Sequence, residues 1–249
     1  MSDHLSTEVS ALGQPPARDH PANRFLLNLD DDVYAALAPH LAPVALEVGQ
    51  CLFSSGDIVS WVYFPADAVL SMISASSSGD RVETSMIGRE GGAGLIEVVG
   101  SGVAAISCVV QVPGVGHRAP ANVIRQLAAD PRFARKCWLL IEFVMFESRQ
   151  SGLCQALHAV EPRLARWLLE CSERSGLRTV LPLTQEFLSA MLGVQRSTVS
   201  TFCAHLQKDD LIRTRRGKIE IVSSEGLEAR ACECRTAVRE QRERLGFSG

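Results

Sequence analysis

The alternation of apolar and polar positions changes period as the chain proceeds, and each change marks a different element. From Val44 to about Val115, short apolar runs (VALEV, CLF, WVYF, AVLSMIS, RVETSMI, GLIEVV, AAISCVVQV) are separated by Gly, Asp and Ser at spacings near ten residues. In RVETSMI, Val82, Thr84 and Met86 fall on one face of a strand-period pattern. Many short strands without intervening helices predict an antiparallel barrel or sandwich. Gly49, Gly56-Asp57, Gly79-Asp80 and Gly88 stand where its turns belong.

Beyond Pro120 the period becomes helical. A short helix is expected to Leu127, then a long one from Pro131 to about Leu157. Phe133, Cys137, Leu140, Ile141, Val144, Met145, Ser148, Gly152 and Leu153 form its nearly continuous stripe. A helix of about 25 residues runs to roughly 40 Å, longer than a small domain needs, so an intermolecular role is expected. Glu161-Pro162-Arg163 opens another helix, with Leu164, Trp167, Leu168 and Cys171 inward. Upstream, a short helix is expected across Asp30 to Leu41, capped by Asp30 or Asp31. Residues 1–22, polar and proline-containing without periodicity, read as a disordered leader.

The most informative stretch is Pro182 to Lys208. Thr184 is an N-cap ahead of Phe187, Leu188, Met191 and Leu192, and Gly193 can turn the chain sharply. A second helix then turns Val199, Phe202, Cys203 and Leu206 inward. Its other face carries Arg196, Ser197, Ser200, Thr201 and His205. Two short helices joined by a glycine-containing turn are the pattern whose second helix enters a DNA major groove. Two short strands flanking Arg215-Arg216-Gly217 follow as a basic wing, and a charged helix from Glu225 to about Arg244 closes the chain.

Composition narrows the classes. Hydrophobic residues at 46% and charged residues at 21% describe a globular chain with ample core. Its net charge of −3 means that any basic surface must be local, and Lys208, Arg213, Arg215, Arg216 and Lys218 supply one. Eight cysteines without framework spacing and a polar, charged N-terminus point to free thiols in a cytoplasmic protein. No run of 18 apolar residues predicts a membrane span. No serine elbow, Walker loop, His-Glu zinc helix or paired-carboxylate setting is present, so no catalytic residue and no enzyme is expected. Cys154 and His158 stand one helical turn apart, but two ligands do not complete a zinc site. Cys232 and Cys234, read within one helix, point their thiols to different faces, so no metal and no resident cofactor is expected. A redox switch at one of these thiols stays open.

The order of barrel, long helix, helix-turn-helix and wing resembles the Crp/Fnr-type family of bacterial transcription regulators, which includes the catabolite activator and the fumarate-nitrate reduction regulator. The resemblance covers roughly residues 25 to 245 and is most specific in TQEFLSAMLGVQRSTV (184–199), in Leu206-Gln207-Lys208 with Leu211-Ile212, and in ARWLL around Arg166. It implies an α+β fold: a cyclic-nucleotide-binding-type β-barrel (double-stranded β-helix) over 23–130, a dimerisation helix over 131–158, and a winged helix-turn-helix domain over 159–249. It also implies a homodimer on a near-palindromic double-stranded DNA operator, with RNA polymerase a candidate further partner. Arg196 matches the family's guanine-reading arginine, with Gln195, Ser197, Ser200 and Thr201 as secondary readers. Thr184, Gln185, Thr198, His205, Arg215, Arg216 and Lys218 would hold phosphates. Ser197 and Thr201 replace the acid and the second basic residue common in the family, so a different operator is expected.

The sensor departs further. Cyclic-nucleotide binders of that family hold the ribose with Gly-Glu and the phosphate with Arg-Ser. In the matching stretch, Gly92 stands for the acid and Val103-Ala104 for the arginine and serine, so tight cyclic AMP binding is not expected. Arg89, Gly91, Gly92 and Gly94 could cradle another anion, and Ser148 and Arg149 are the long helix's candidates for an effector whose identity is open. The competing reading is a small-ligand receptor whose helical domain binds a protein partner in place of DNA.

Overall fold

The strand-period half of the chain folds into two antiparallel sheets in the computed structural model, which describes residues 23–247. The expected leader, 1–22, lies outside the described residues. Strands β1 (Ala42–Leu46), β7 (Gly114–Pro120) and β3 (Trp61–Pro65) form one sheet in that order. Strands β2 (Cys51–Phe53), β6 (Ser107–Val112), β4 (Val69–Ala75) and β5 (Arg81–Ile87) form the other. Pro113 is the single residue between β6 and β7, and its missing N–H ends one ladder just before the chain enters the other sheet. The two sheets share a core of Leu46, Phe53, Val62, Phe64, Leu70, Met72, Cys108 and Val110. Isolated bridges, Ile58 to Val103 and Tyr63 to Ala93, lie outside these strands, so the barrel is two facing sheets and not a fully closed ladder.

One expected strand is a helix. GLIEVV forms α3 (Leu95–Val99), because Gly94 takes φ 87°, which starts a new turn, and the buried Leu95 and Val98 are three apart. Two short helices precede the sheets, α1 (Arg24–Leu27) and α2 (Asp31–Leu37). The Asn23 side chain caps α1 and donates to the carbonyls of Pro65 (3.0 Å) and Gly91 (2.6 Å), seating the N-terminal segment on the sensor. Asp30 stands at the α2 N-cap without a side-chain capping bond.

After α4 (Ala121–Leu127), Asp130 caps α5 (Pro131–Leu157), 27 residues with proline in the first turn. One face of α5 buries Phe133, Cys137, Leu140 and Phe143 against the sensor. Helix α6 (Val160–Arg174) follows, then β8 (Val180–Leu181), α7 (Gln185–Leu192), α8 (Arg196–Lys208), β9 (Ile212–Arg215) and β10 (Lys218–Ile221), with the three strands in the order β8-β10-β9. The expected last helix is broken in two: α9 (Ser224–Arg230) packs beside α6, and α10 (Cys234–Arg244) returns to α5. Ala231 between them is extended (ψ 149°), so Cys232 and Cys234 do not share one helix and the expectation of diverging thiols fails. Among the described residues no helix is long and apolar enough to cross a membrane.

The second core joins the halves. The outer faces of β4, β5 and β6 (Ile73, Met86, Val109) pack with Leu164, Trp167 and Leu168 of α6, and with Leu188, Val199 and Leu206. A buried polar network runs through this join. Arg174, with no exposed side-chain surface, donates to Glu90 (2.7 Å), to Glu147 on α5 (2.6 Å) and to the Met86 carbonyl. Arg166 pairs with Glu170 at 3.0 Å, and Trp167 Nε1 donates to Glu83 at 2.8 Å, whose other oxygen accepts from Ser71 at 2.5 Å.

Two guanidinium groups face four carboxyls in this network, so charge balance favours two protonated acids. Burial raises the carboxyls of Glu83 and Glu147 to about 7 each, and the second oxygen of Glu147 has no partner. A carboxyl raised above its unfolded value contributes stability below the unfolded pKa and loses it as pH climbs through the folded one. Unfolding free energy is therefore expected to fall between about pH 5 and pH 8. Glu83→Gln should flatten its share of that slope, on the order of 3 kcal/mol for a shift of this size. Urea titrations at several pH values check this, and a variant with the wild-type slope would remove Glu83 from the network's titration.

Candidate nucleic-acid interface and sensor cavity

Local chemistry sets the two-helix motif. Thr184 Oγ1 accepts from the Phe187 N–H at 3.1 Å, capping α7, and Gly193 ends it in the left-handed region at φ 63°, ψ 38°. Arg163 Nη2 donates to the Leu192 carbonyl at 2.5 Å, tying the end of α7 to α6. Val199, Cys203 and Leu206 are buried, which turns the opposite face of α8 to solvent.

That face presents Gln195, Arg196, Ser197 and Thr201, all exposed. Ser200 is half-buried and donates to Gln185 Oε1 at 2.7 Å, so this expected reader and this expected phosphate ligand are a strut between α7 and α8. Thr201 Oγ1 donates to the Ser197 carbonyl at 3.1 Å, and Thr198 is half-buried. His205 Nδ1 lies 3.3 Å from Glu161 Oε2, and Glu161 also pairs with Arg230. The wing turns at Gly217, φ 69°, with Arg215 opposite Lys218 across the ladder. Arg196, Arg213, Arg215, Arg216 and Lys218 are all exposed, and none forms an ion pair among the described residues. Uncompensated cations on one motif of an overall acidic chain form a surface that an anion would complete.

A half-open cavity of about 390 Å³ lies between β4–β5, α3 and α5. Met72, Ile87, Ile96, Ile141, Val144 and Met145 form most of its wall, and Ser85, Glu97, Ser148 and Arg149 are its polar groups. Of the expected effector residues, Gly92, Ser148 and Arg149 line it, whereas Arg89, Gly91 and Gly94 do not. Gly91 gives room to Leu140 of α5, and Gly94 to the Trp61 carbonyl, so close packing accounts for both glycines. Glu97 went unexpected; its signal was the lone acid within an apolar run, and burial raises its carboxyl.

A third group also went unexpected. Cys154 and His158 at the end of α5 meet Cys232 and Cys234 beside the start of α10, with all four ligand atoms within 4.8 Å of one another. The expectation of only two metal-ligating side chains in one place is corrected by the break between α9 and α10, which swings the second pair onto the first.

Residues 162–230 match the family model described as the Crp-like helix-turn-helix domain. No curated protein matches the chain in sequence. Solved structures with similar folds include FixK2 from Bradyrhizobium japonicum (14% identity, 77% of this chain and 98% of that one, TM-score 0.61). TTHA1359, a Crp/Fnr-family regulator from Thermus thermophilus, is 20% identical over 76% and 97%, with TM-score 0.61. The cyclic di-GMP-responsive regulator CLP from Xanthomonas campestris is 15% identical over 78% and 100%, with TM-score 0.61. The chain has the fold of Crp/Fnr-type regulators, and its α6–α9 region matches their helix-turn-helix domain.

The Thr184 cap has a measurable consequence. Thr184→Ala should destabilise α7 by about 1 kcal/mol, while Thr184→Ser stays near wild type. Hydrogen exchange of the amides of 185–188 reads it; equal protection in both variants would show that the cap contributes nothing.

Proposed function

We propose that this protein is a homodimeric, sequence-specific DNA-binding transcription regulator whose sensor takes a compact, mainly apolar effector in place of a cyclic nucleotide. The observation that carries the DNA-binding reading is the uncompensated basic edge of α8 and the wing, set on a Crp-like helix-turn-helix domain. Arg196, exposed in the first turn of α8, has the reach for bidentate contact with guanine O6 and N7. Gln195, Ser197 and Thr201 flank it as shorter readers. Thr184, Thr198, Arg215, Arg216 and Lys218 hold phosphates, which position without specifying. Ser200 and Gln185 keep the two helices in register, and His205 is engaged by Glu161.

The dimer reading rests on α5. Trp138, Met145 and Leu153 are 69%, 47% and 43% exposed, and Gly152 has open space beside it. Trp138, Met145 and Gly152 are seven apart, the repeat of a two-helix seam. Met145 also lines the cavity, so a partner helix on that seam would press on the effector site.

The cavity argues for the effector class. Its polar groups include one cation, Arg149, and one acid, Glu97, within mostly hydrocarbon walls. A cyclic phosphate would meet Glu97 as well as Arg149, and Val103 and Ala104 are absent from the lining. The cyclic di-GMP to which the Xanthomonas protein responds carries two phosphates, for which this lining offers one arginine.

Duplex selection on the purified protein should recover a near-palindrome with half-sites one helical turn apart, about 34–36 Å. On that site Arg196→Ala should lose about 1–3 kcal/mol per half-site and relax one base position in each. Lys218→Ala should weaken all duplexes alike and reduce the slope of log K against log salt by about 0.9 per protomer, about 1.8 for the dimer. Absence of any consensus, or an Arg196→Ala complex as tight as wild type, would refute the assignment and leave a protein partner for this surface. Separately, Met145→Glu should yield monomers in sedimentation velocity at concentrations where the wild type is dimeric; a wild-type profile would place the interface elsewhere.

A further inference from the structure

We propose that Cys154, His158, Cys232 and Cys234 form a structural zinc site that fastens the end of α5 to the start of α10. Cys154 lies in the last turn of α5 and His158 is its C-cap, while Cys232 sits in the α9–α10 linker and Cys234 is the first residue of α10. Two loci far apart in sequence thus deliver four donor atoms to one point, all within 4.8 Å of one another.

The distances suit one tetrahedral ion. Zinc–sulfur bonds of about 2.3 Å and zinc–nitrogen bonds of about 2.0–2.1 Å place ligand atoms roughly 3.6–3.8 Å apart along the tetrahedron's edges. The Cys154 and Cys232 sulfurs are 3.5 Å apart, and Cys234 Sγ lies 3.4 Å from His158 Nδ1. A disulfide would need about 2.05 Å, and all the cysteines are free. A four-iron cluster spreads its thiolates around a cube, farther apart than the edges of a single-ion tetrahedron. Three sulfurs and one imidazole select a borderline-soft divalent cation, and a set of four leaves no open position for substrate.

The surroundings suit a metal better than buried thiols serving as small hydrophobes. Cys154, Cys232 and Cys234 form a buried group separate from both hydrophobic cores. His158 Nε2 lies 3.0 Å from Glu233 Oε1, the carboxylate–histidine pairing that directs Nδ1 at a metal. Gln150 Nε2 donates to Cys234 Sγ at 3.1 Å, a hydrogen bond suited to a thiolate. Three thiolates around a divalent ion leave one negative charge, and the Arg166 guanidinium interacts electrostatically with Cys154 and Cys232.

The test uses the full-length protein. Elemental analysis after purification without a metal-affinity tag should find one zinc per chain. Cobalt(II) exchanged into the site should give the intense visible bands and thiolate charge transfer of tetrahedral sulfur coordination. Cys154→Ser and Cys234→Ser should lose both signals, and Cys51→Ser, at an exposed cysteine outside the group, should keep them. Glu233→Ala, a mild surface change, should weaken zinc about 10- to 100-fold against a competing chelator. Should a ligand variant fail to fold, chelation of the wild type must still expose four thiol and imidazole donors and release α10, read by hydrogen exchange over 234–244. Metal-free protein from zinc-replete cells, a Cys154–Cys232 disulfide, or iron with labile sulfide would each overturn the proposal.

Discussion

A single buried guanidinium holds the three working parts of this molecule together. Arg174, at the C-terminal end of α6, reaches Glu90 and the Met86 carbonyl on the sensor and Glu147 on α5. Gly88 is part of the same device: a β-carbon there would collide with the Arg174 side chain, so helix and loop can meet only across a glycine. Removing charges from water costs several kcal/mol per ion, and such a pair returns that only with good geometry on both sides. The arrangement is therefore poor as a source of stability and good as a source of register. Withdrawing one partner strands a buried charge, so α6 has one well-defined seat against the sheets and α5.

That seat explains how a sensor cavity could influence a DNA-reading surface. Strand β5 presents Ser85 and Ile87 to the cavity, while Glu83 from the same strand accepts a hydrogen bond from Trp167 of α6. Val82, one residue earlier, lies against Gly193 at the turn before α8. Helix α5 repeats the scheme: Met145 and Ser148 line the cavity, and Glu147 between them binds Arg174. Residues two apart on β5, whose faces exchange at the bulge where Met72 pairs with Ser85 and Ile73 with Glu83, and neighbouring residues on α5 thus connect the cavity with the helix-turn-helix region. A change at the cavity acts on packed elements with few alternative seats, which favours rigid-body displacement over graded deformation.

Much of this was legible along the chain and some was not, for physical reasons. The helix-turn-helix could be read because its determinants are local: a cap at Thr184, a left-handed glycine at 193 and helical spacing of buried residues. The strand pattern was legible for most of the sensor, but GLIEVV misled, since a short apolar run does not distinguish a strand from a buried helix without its flanking glycines. Arg89, Gly91 and Gly94 looked like an anion cradle because glycine reports close approach without saying what approaches; here it is Leu140 and the Trp61 carbonyl. Ser200 and Gln185 looked like DNA contacts because helical spacing gives a face but not the neighbour that occupies it. The cysteine-histidine group stayed hidden because a break at Ala231 was needed to bring residues 78 apart in the chain within contact.

The same break bears on how the reader moves. Helix α6 leaves α5 at His158-Ala159, and such a joint between two helices is ordinarily where a hinge would act. Here the C-terminal end of α6 is fastened to α5. Arg174 binds Glu147 at the far end, and the group around Cys154 and His158 lies at the near end, joined to α10, which itself packs along α5 through Phe247 on Phe143. The tie at Arg174, with the pairing of Glu173 to Arg235 and Arg242 of α10, restricts the swing that the joint alone would allow. A change at the cavity then favours displacement of α5 and α6 together, and in the homodimer proposed above the coordinate free to change is the relation of one α5 to the other. The exposed seam of Trp138, Met145 and Leu153, directly beside the cavity wall, is the surface on which such a shift would register.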